Sequence, residues 1–75
     1  MTIHATPELI LADTKASSDE SSAMSQSYNA FLLAVSVFDW RAAEFLRTET
    51  MAHAEAMMDA IMRANQRMEV LRSAG

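Results

Sequence analysis

Large apolar side chains return along this chain with the period of a helix. Met24, Tyr28, Phe31, Val35, Phe38, Ala42 and Phe45 follow one another at steps of four and three, which is a heptad-like seam. Thr50, Ala54, Met57, Ile61, Ala64, Met68 and Leu71 repeat the pattern further on. The two seams are out of phase. Phe45 and Met57 stand twelve residues apart, so at about 100° per residue a straight helix would turn the second seam about 120° away from the first. A helical hairpin that turns near Arg47 to Met51 resolves the conflict, with Thr48 or Thr50 capping the second helix. One long bent helix serving two faces is the alternative. The pattern therefore predicts an all-α fold, with a helical interaction domain over residues 23–74 and a break near 47–51.

Leu33, Val37 and Trp40 form a further stripe beside the first seam. Residues 30–40 are thus apolar around most of a helix circumference, and such a helix is buried on several sides. A two-helix hairpin is too small to cover it, so contacts to a third and fourth helix are expected. The β-branched and aromatic residues of Phe31 to Trp40 also admit a strand, but the helical spacing on both sides favours the helix.

Residues 1–22 read differently, as an acidic arm rich in Ser and Thr. Thr6, Pro7 and Glu8 supply an N-cap, a proline at the first helical position and an acid in the first turn, which predicts a short helix over 7–15. Ser17 to Ser22 is polar enough for a flexible linker. It also holds Ser17 and Glu20 at capping-box spacing, so a helix could start there. Pro7 is the only proline and Gly75 the only glycine. Helix breakers are therefore missing from the whole stretch between them.

Composition decides what stabilises such a chain. Seventy-five residues bury little surface, and there is no cysteine for a disulfide or a thiolate zinc site. Self-association or docking on a larger protein is the remaining route. The net charge of −4 argues against a general phosphate-backbone binder, so no direct nucleic-acid partner is expected. The longest apolar run, Ala30 to Phe38, is too short to span a membrane. The N-terminus lacks the pattern of a secretory signal, which makes the cytoplasm the default compartment and leaves a non-classical bacterial export route open.

Candidate chemistry is sparse. Glu49, His53 and Met57 share a helical face, but di-iron bundles use a Glu-x-x-His spacing one residue shorter. Met51, His53, Met57, Met58 and Met62 offer soft ligands to copper(I), although methionine in a packed helix is usually core filler. Arg63, Arg67 and Arg72 suit the negative end of a helix dipole. No nucleophile has a base at a matching position, so no catalytic residue, metal ligand or cofactor is expected.

The expectation is a non-enzymatic helical subunit or adaptor. Its contact surface would comprise Tyr28, Phe31, Leu32, Val35, Phe38, Trp40, Arg41, Phe45, Met57, Ile61, Met68 and Leu71, with Trp40 and Arg41 of the types favoured at interface hot spots. A short chain with a polar arm before a helical hairpin is similar in outline to needle and inner-rod subunits of bacterial secretion systems and to their small chaperones. That resemblance implies a component of a secretion or filament assembly. A small acidic inhibitor of an enzyme or of a nucleic-acid-processing complex fits the same composition, with the arm imitating phosphate charge.

Overall fold

The computed structural model describes residues 4–74. Helix α1 spans Pro7–Ser36 and helix α2 spans Trp40–Ala74. They fold back on each other as an antiparallel hairpin, and no strand occurs among the described residues. The molecule measures 55 × 20 × 12 Å. Its length is that of one straight helix of α2's size, about 52 Å at about 1.5 Å per residue.

Helix α1 starts as its sequence predicts. Thr6 is extended (φ −132°, ψ 154°), its hydroxyl accepts from the Leu9 N–H at 3.2 Å, and Pro7 and Glu8 follow in the first turn. The helix does not stop at residue 15. The Ser17 to Ser22 stretch, expected as a linker, is helical throughout, and the arm of residues 1–22 is continuous with the interaction domain from Pro7 onward. Residues 1–3 of that arm lie outside the described residues. Ser17 donates to the Thr14 carbonyl at 2.7 Å rather than capping a new helix. Local polarity gave a poor guide here because the stretch contains no helix breaker and Glu20 is held by His53 of α2, and such tertiary pairing outweighs a weak propensity.

The turn is also displaced from its expected place. Residues 47–51 are helical, and the chain reverses at Val37, Phe38 and Asp39. Its hydrogen bonds are those of a Schellman cap: Asp39 N–H donates to the Ala34 carbonyl (2.9 Å) and Phe38 N–H to Val35 (3.1 Å). Phe38 holds the left-handed position at φ 60°, where glycine usually stands. Asp39 then caps α2, its Oδ1 accepting from the Ala42 N–H at 3.2 Å. Thr48 and Thr50, expected as caps, instead donate back to the Glu44 (3.1 Å) and Leu46 (2.7 Å) carbonyls, as mid-helix threonines do.

The helices meet along a seam one position away from the one that the large residues trace. On α1 it runs through Asp13, Ser17, Glu20, Met24, Ser27, Phe31 and Ala34. On α2 it runs through Ala43, Leu46, Thr50, His53, Met57, Ala60, Ala64 and Arg67. Both keep alternating steps of four and three. Ser27 and Ala34 occupy the places that Tyr28 and Val35 were expected to fill, and Ala60 replaces Ile61. The physical reason is approach distance: helix separation follows the side chains at the contact, and alanine and serine let the axes close. Ala60, at 1% exposure, is the most deeply buried residue of the seam. Among the described residues no large side chain is fully buried.

Candidate protein interface

Three polar rungs cross the seam. Near the turn, Thr50 donates to Ser27 Oγ at 2.9 Å and Ser27 donates to the Met24 carbonyl at 3.1 Å. The Leu46 carbonyl competes for the same Thr50 proton. In the middle, His53 Nδ1 and Glu20 Oε2 stand 2.6 Å apart, both half-buried. At the open end Asp13 is buried between Arg67 and Arg63, the latter at 3.4 Å, and Arg67 also donates to the His4 carbonyl at 3.0 Å. Every rung joins residues far apart in sequence, so a slip of either helix would break all three. Polar groups at single seam positions set register in this way at some expense of stability.

Because small and polar residues take most of the seam, the majority of the large apolar ones face outward. Tyr28, Leu32, Phe38, Trp40, Phe45, Ile61, Met68 and Leu71 are exposed, while Phe31, Val35 and Met57 are half-buried. The structure thus places most of the expected contact residues outside the hairpin and only three at its junction. Arg41 is exposed at the start of α2. Leu11, Leu33, Val37, Met51, Met58 and Met62 join the exposed set. Met51 and Met58 could have been found in the sequence, since they continue the spacing of Trp40 and Arg47 along one face.

The tip is the most exposed part of this surface. Phe38 is 74% exposed and Trp40 61%, their rings edge to face with centroids 6.0 Å apart. Tyr28 and Phe31 stack at 6.3 Å below them. A shallow groove lined by Phe31, Val35, Trp40, Ala43, Glu44 and Arg47 opens beside the tip.

Solvent-facing electrostatics are bland. The Lys15 ammonium is raised above its usual range by a hydrogen bond and charge from Asp19 at 2.8 Å, a fully exposed pair of the kind that contributes little. His53 is directed to Glu20, Met57 lies in the seam and Met51 and Met58 face outward, so the residues considered for copper(I) do not converge. No group of three or more His, Asp or Glu side chains suited to a metal occurs among the described residues. No helix among them is long and apolar enough to cross a membrane. No family model, curated protein or solved structure matches this chain.

Proposed function

We propose that this chain is a non-enzymatic helical subunit that acts by packing its outward apolar surface against protein, either another copy or a larger complex. One observation carries the reading: most of the large apolar side chains sit outside the hairpin, and the seam between the helices holds alanine, serine and polar rungs with only Met24, Phe31, Leu46 and Met57 among them. A folded monomer of 8.3 kDa exposes about 4600 Å²; this hairpin exposes 5700 Å². The excess exceeds the roughly 800 Å² that each partner contributes to a standard interface. The cytoplasm suits such a subunit, given a chain without cysteine.

Assembly into a secretion or filament structure is one setting for this activity. The inhibitor reading draws less support, because Asp13 and Glu20 are committed to the seam, which leaves Glu8 and Asp19 as the exposed acids of the arm able to imitate phosphate. The test is the molar mass by light scattering across a dilution series, with helicity followed in parallel. The reading expects either a mass above 8.3 kDa that falls on dilution together with helicity, or a poorly helical monomer that folds on its partner. A fully helical, stable monomer at every concentration that also unfolds with high stability on its own would sink it, because such a hairpin would need no partner to cover its surface.

A further inference from the structure

Five of the nine exposed large apolar residues of α2, Trp40, Met51, Met58, Ile61 and Met68, share one stripe with the half-buried Ala54, while Phe45, Met62, Val70 and Leu71 lie off it. Glu44, Arg47, Asn65 and Arg72 take the remaining steps of four and three. The stripe sits roughly 100° around α2 from the seam, by about 100° per residue. Three surface grooves follow it: one at Trp40, Glu44 and Arg47, one at Met51, Ala54 and Met58, and one at Asn65, Met68 and Arg72. On α1 the same side of the hairpin is apolar only in the half nearer the turn, through the exposed Tyr28 and Leu32 and through Val35, which shares the first groove. Thr14, Ser18, Ser21 and Ser25 continue it toward the open end, so only α2 carries large apolar residues along its whole length on this side.

We propose that this stripe is a two-fold docking surface for a second copy of the chain, the two α2 helices packing antiparallel to complete a four-helix bundle. The inference rests on the packing function above and names its partner.

Two features of the stripe select a second copy over an unrelated protein. The first is steric self-complementarity. The step pattern from Trp40 to Arg72 reads the same in both directions, so an antiparallel copy pairs every position with another position of the stripe. At the centre the small Ala54 meets the partner's Met58, and the groove over Ala54 is the hollow that this thioether would enter. Met51 then meets the partner's Ile61, and the Trp40 ring meets the partner's Arg72, a cation–π arrangement.

The second is charge. Glu44 and Arg47 stand near the turn, and Glu69 and Arg72 near the C-terminal end, where they pair with each other. In the same antiparallel register Glu44 stands opposite the partner's Met68 and Arg47 opposite the partner's Asn65, and the partner's Arg72 and the partner's Glu69 lie one helical turn away from them, within reach of these long side chains. Parallel packing sets Glu44 against Glu44 and Arg47 against Arg47. An isologous, closed dimer follows from the first arrangement alone. Glu55 and Asp59 line the outer edge of the central groove, and across the axis Glu55 comes near the partner's Glu55 and the partner's Asp59, where like charge weakens the pair without preventing it.

The absence of cysteine makes the test clean. Single-cysteine variants Met51→Cys and Ile61→Cys, mixed and oxidised mildly, should form the mixed disulfide in clear preference to either homodisulfide. Met58→Glu should reduce the mass to that of one chain at concentrations where the parent associates. The double variant Glu55→Gln, Asp59→Asn should tighten association several-fold, whereas a basic foreign partner would be lost by the same change. Phe45→Ser, on the far side of α2, serves as the control and should leave the mass unchanged. Preferred homodisulfides, or Met58→Glu leaving the mass unchanged, would overturn the antiparallel stripe. If Phe45→Ser alone dissociates the assembly, the packing function stands and this surface is wrong. A parent chain that is folded and monomeric up to millimolar concentration would overturn both.

Discussion

Asp13 provides the sharpest test of how the hairpin is held together, because its two arginines differ so much in exposure. The Asp13 side chain is 10% exposed, Arg67 21% and Arg63 50%. Arg67→Ala strands a buried carboxylate with only Arg63, at 3.4 Å, to compensate it. Removing one member of a buried pair costs about 3–5 kcal/mol, and the remaining arginine lowers that to about 2–3. Loss of the Arg67 bond to the His4 carbonyl adds about 1 kcal/mol. Asp13→Ala is milder, since both guanidiniums can swing into water and alanine regains about 0.5 kcal/mol of helix propensity. Its net cost should be about 1 kcal/mol. Urea unfolding followed by circular dichroism, at one fixed protein concentration, measures both. The expected order is Arg67→Ala at about 3 kcal/mol above Asp13→Ala at about 1. In melting temperature the arginine variant should fall by about 12 °C or more. The double variant should be more stable than Arg67→Ala alone, because it no longer buries a bare charge. Equal losses for the two single variants, or a double variant at the sum of both, would refute this reasoning.

Three further substitutions probe the turn and the seam. Phe38→Gly relieves a left-handed position that costs a non-glycine residue about 1–2 kcal/mol, so the isolated hairpin should gain about 0.5–1 kcal/mol in urea unfolding. A loss of comparable size would show that contact with Trp40 outweighs the strain. Ala60→Leu forces bulk into the most deeply buried position of the seam and should cost about 1–3 kcal/mol, read as a lower denaturation midpoint. Replacing both Glu20 and His53 by leucine should leave stability equal or higher while Glu20→Ala alone lowers it by less than about 1 kcal/mol, since the pair is half-buried. A marked drop for the leucine pair would mean that this rung contributes stability and not only register.

The helical class was legible because spacing, alanine content and the lack of interior glycine and proline all agree. Thr6, Pro7 and Glu8 announced the start of α1 by residue type alone. The turn was hidden because the residue in the left-handed position is Phe38, and sequence signals for a Schellman cap depend on glycine. Asp39, three residues before Ala42, was the visible trace of a helix start. The seam was misplaced by one position for a different reason. A search for large apolar residues finds Tyr28, Val35 and Ile61, whereas close helix approach selects Ser27, Ala34 and Ala60. Most of the residues expected to meet a partner therefore stand outside the hairpin, and the helix-to-helix seam took their smaller neighbours. Met51 and Met58 were missed because they fall between the seams traced from the largest side chains.

Serine, alanine and the polar rungs take the seam together with Met24, Phe31, Leu46 and Met57, and most of the other large residues face out. The most direct measurement is an intrachain disulfide between Ser27→Cys and Thr50→Cys, whose parent hydroxyl oxygens lie 2.9 Å apart. The pair should close within one chain under mild oxidation, detected as loss of two protons at monomer mass with helicity intact. A pair that stays reduced, or that links only separate chains, would contradict this account of the hairpin.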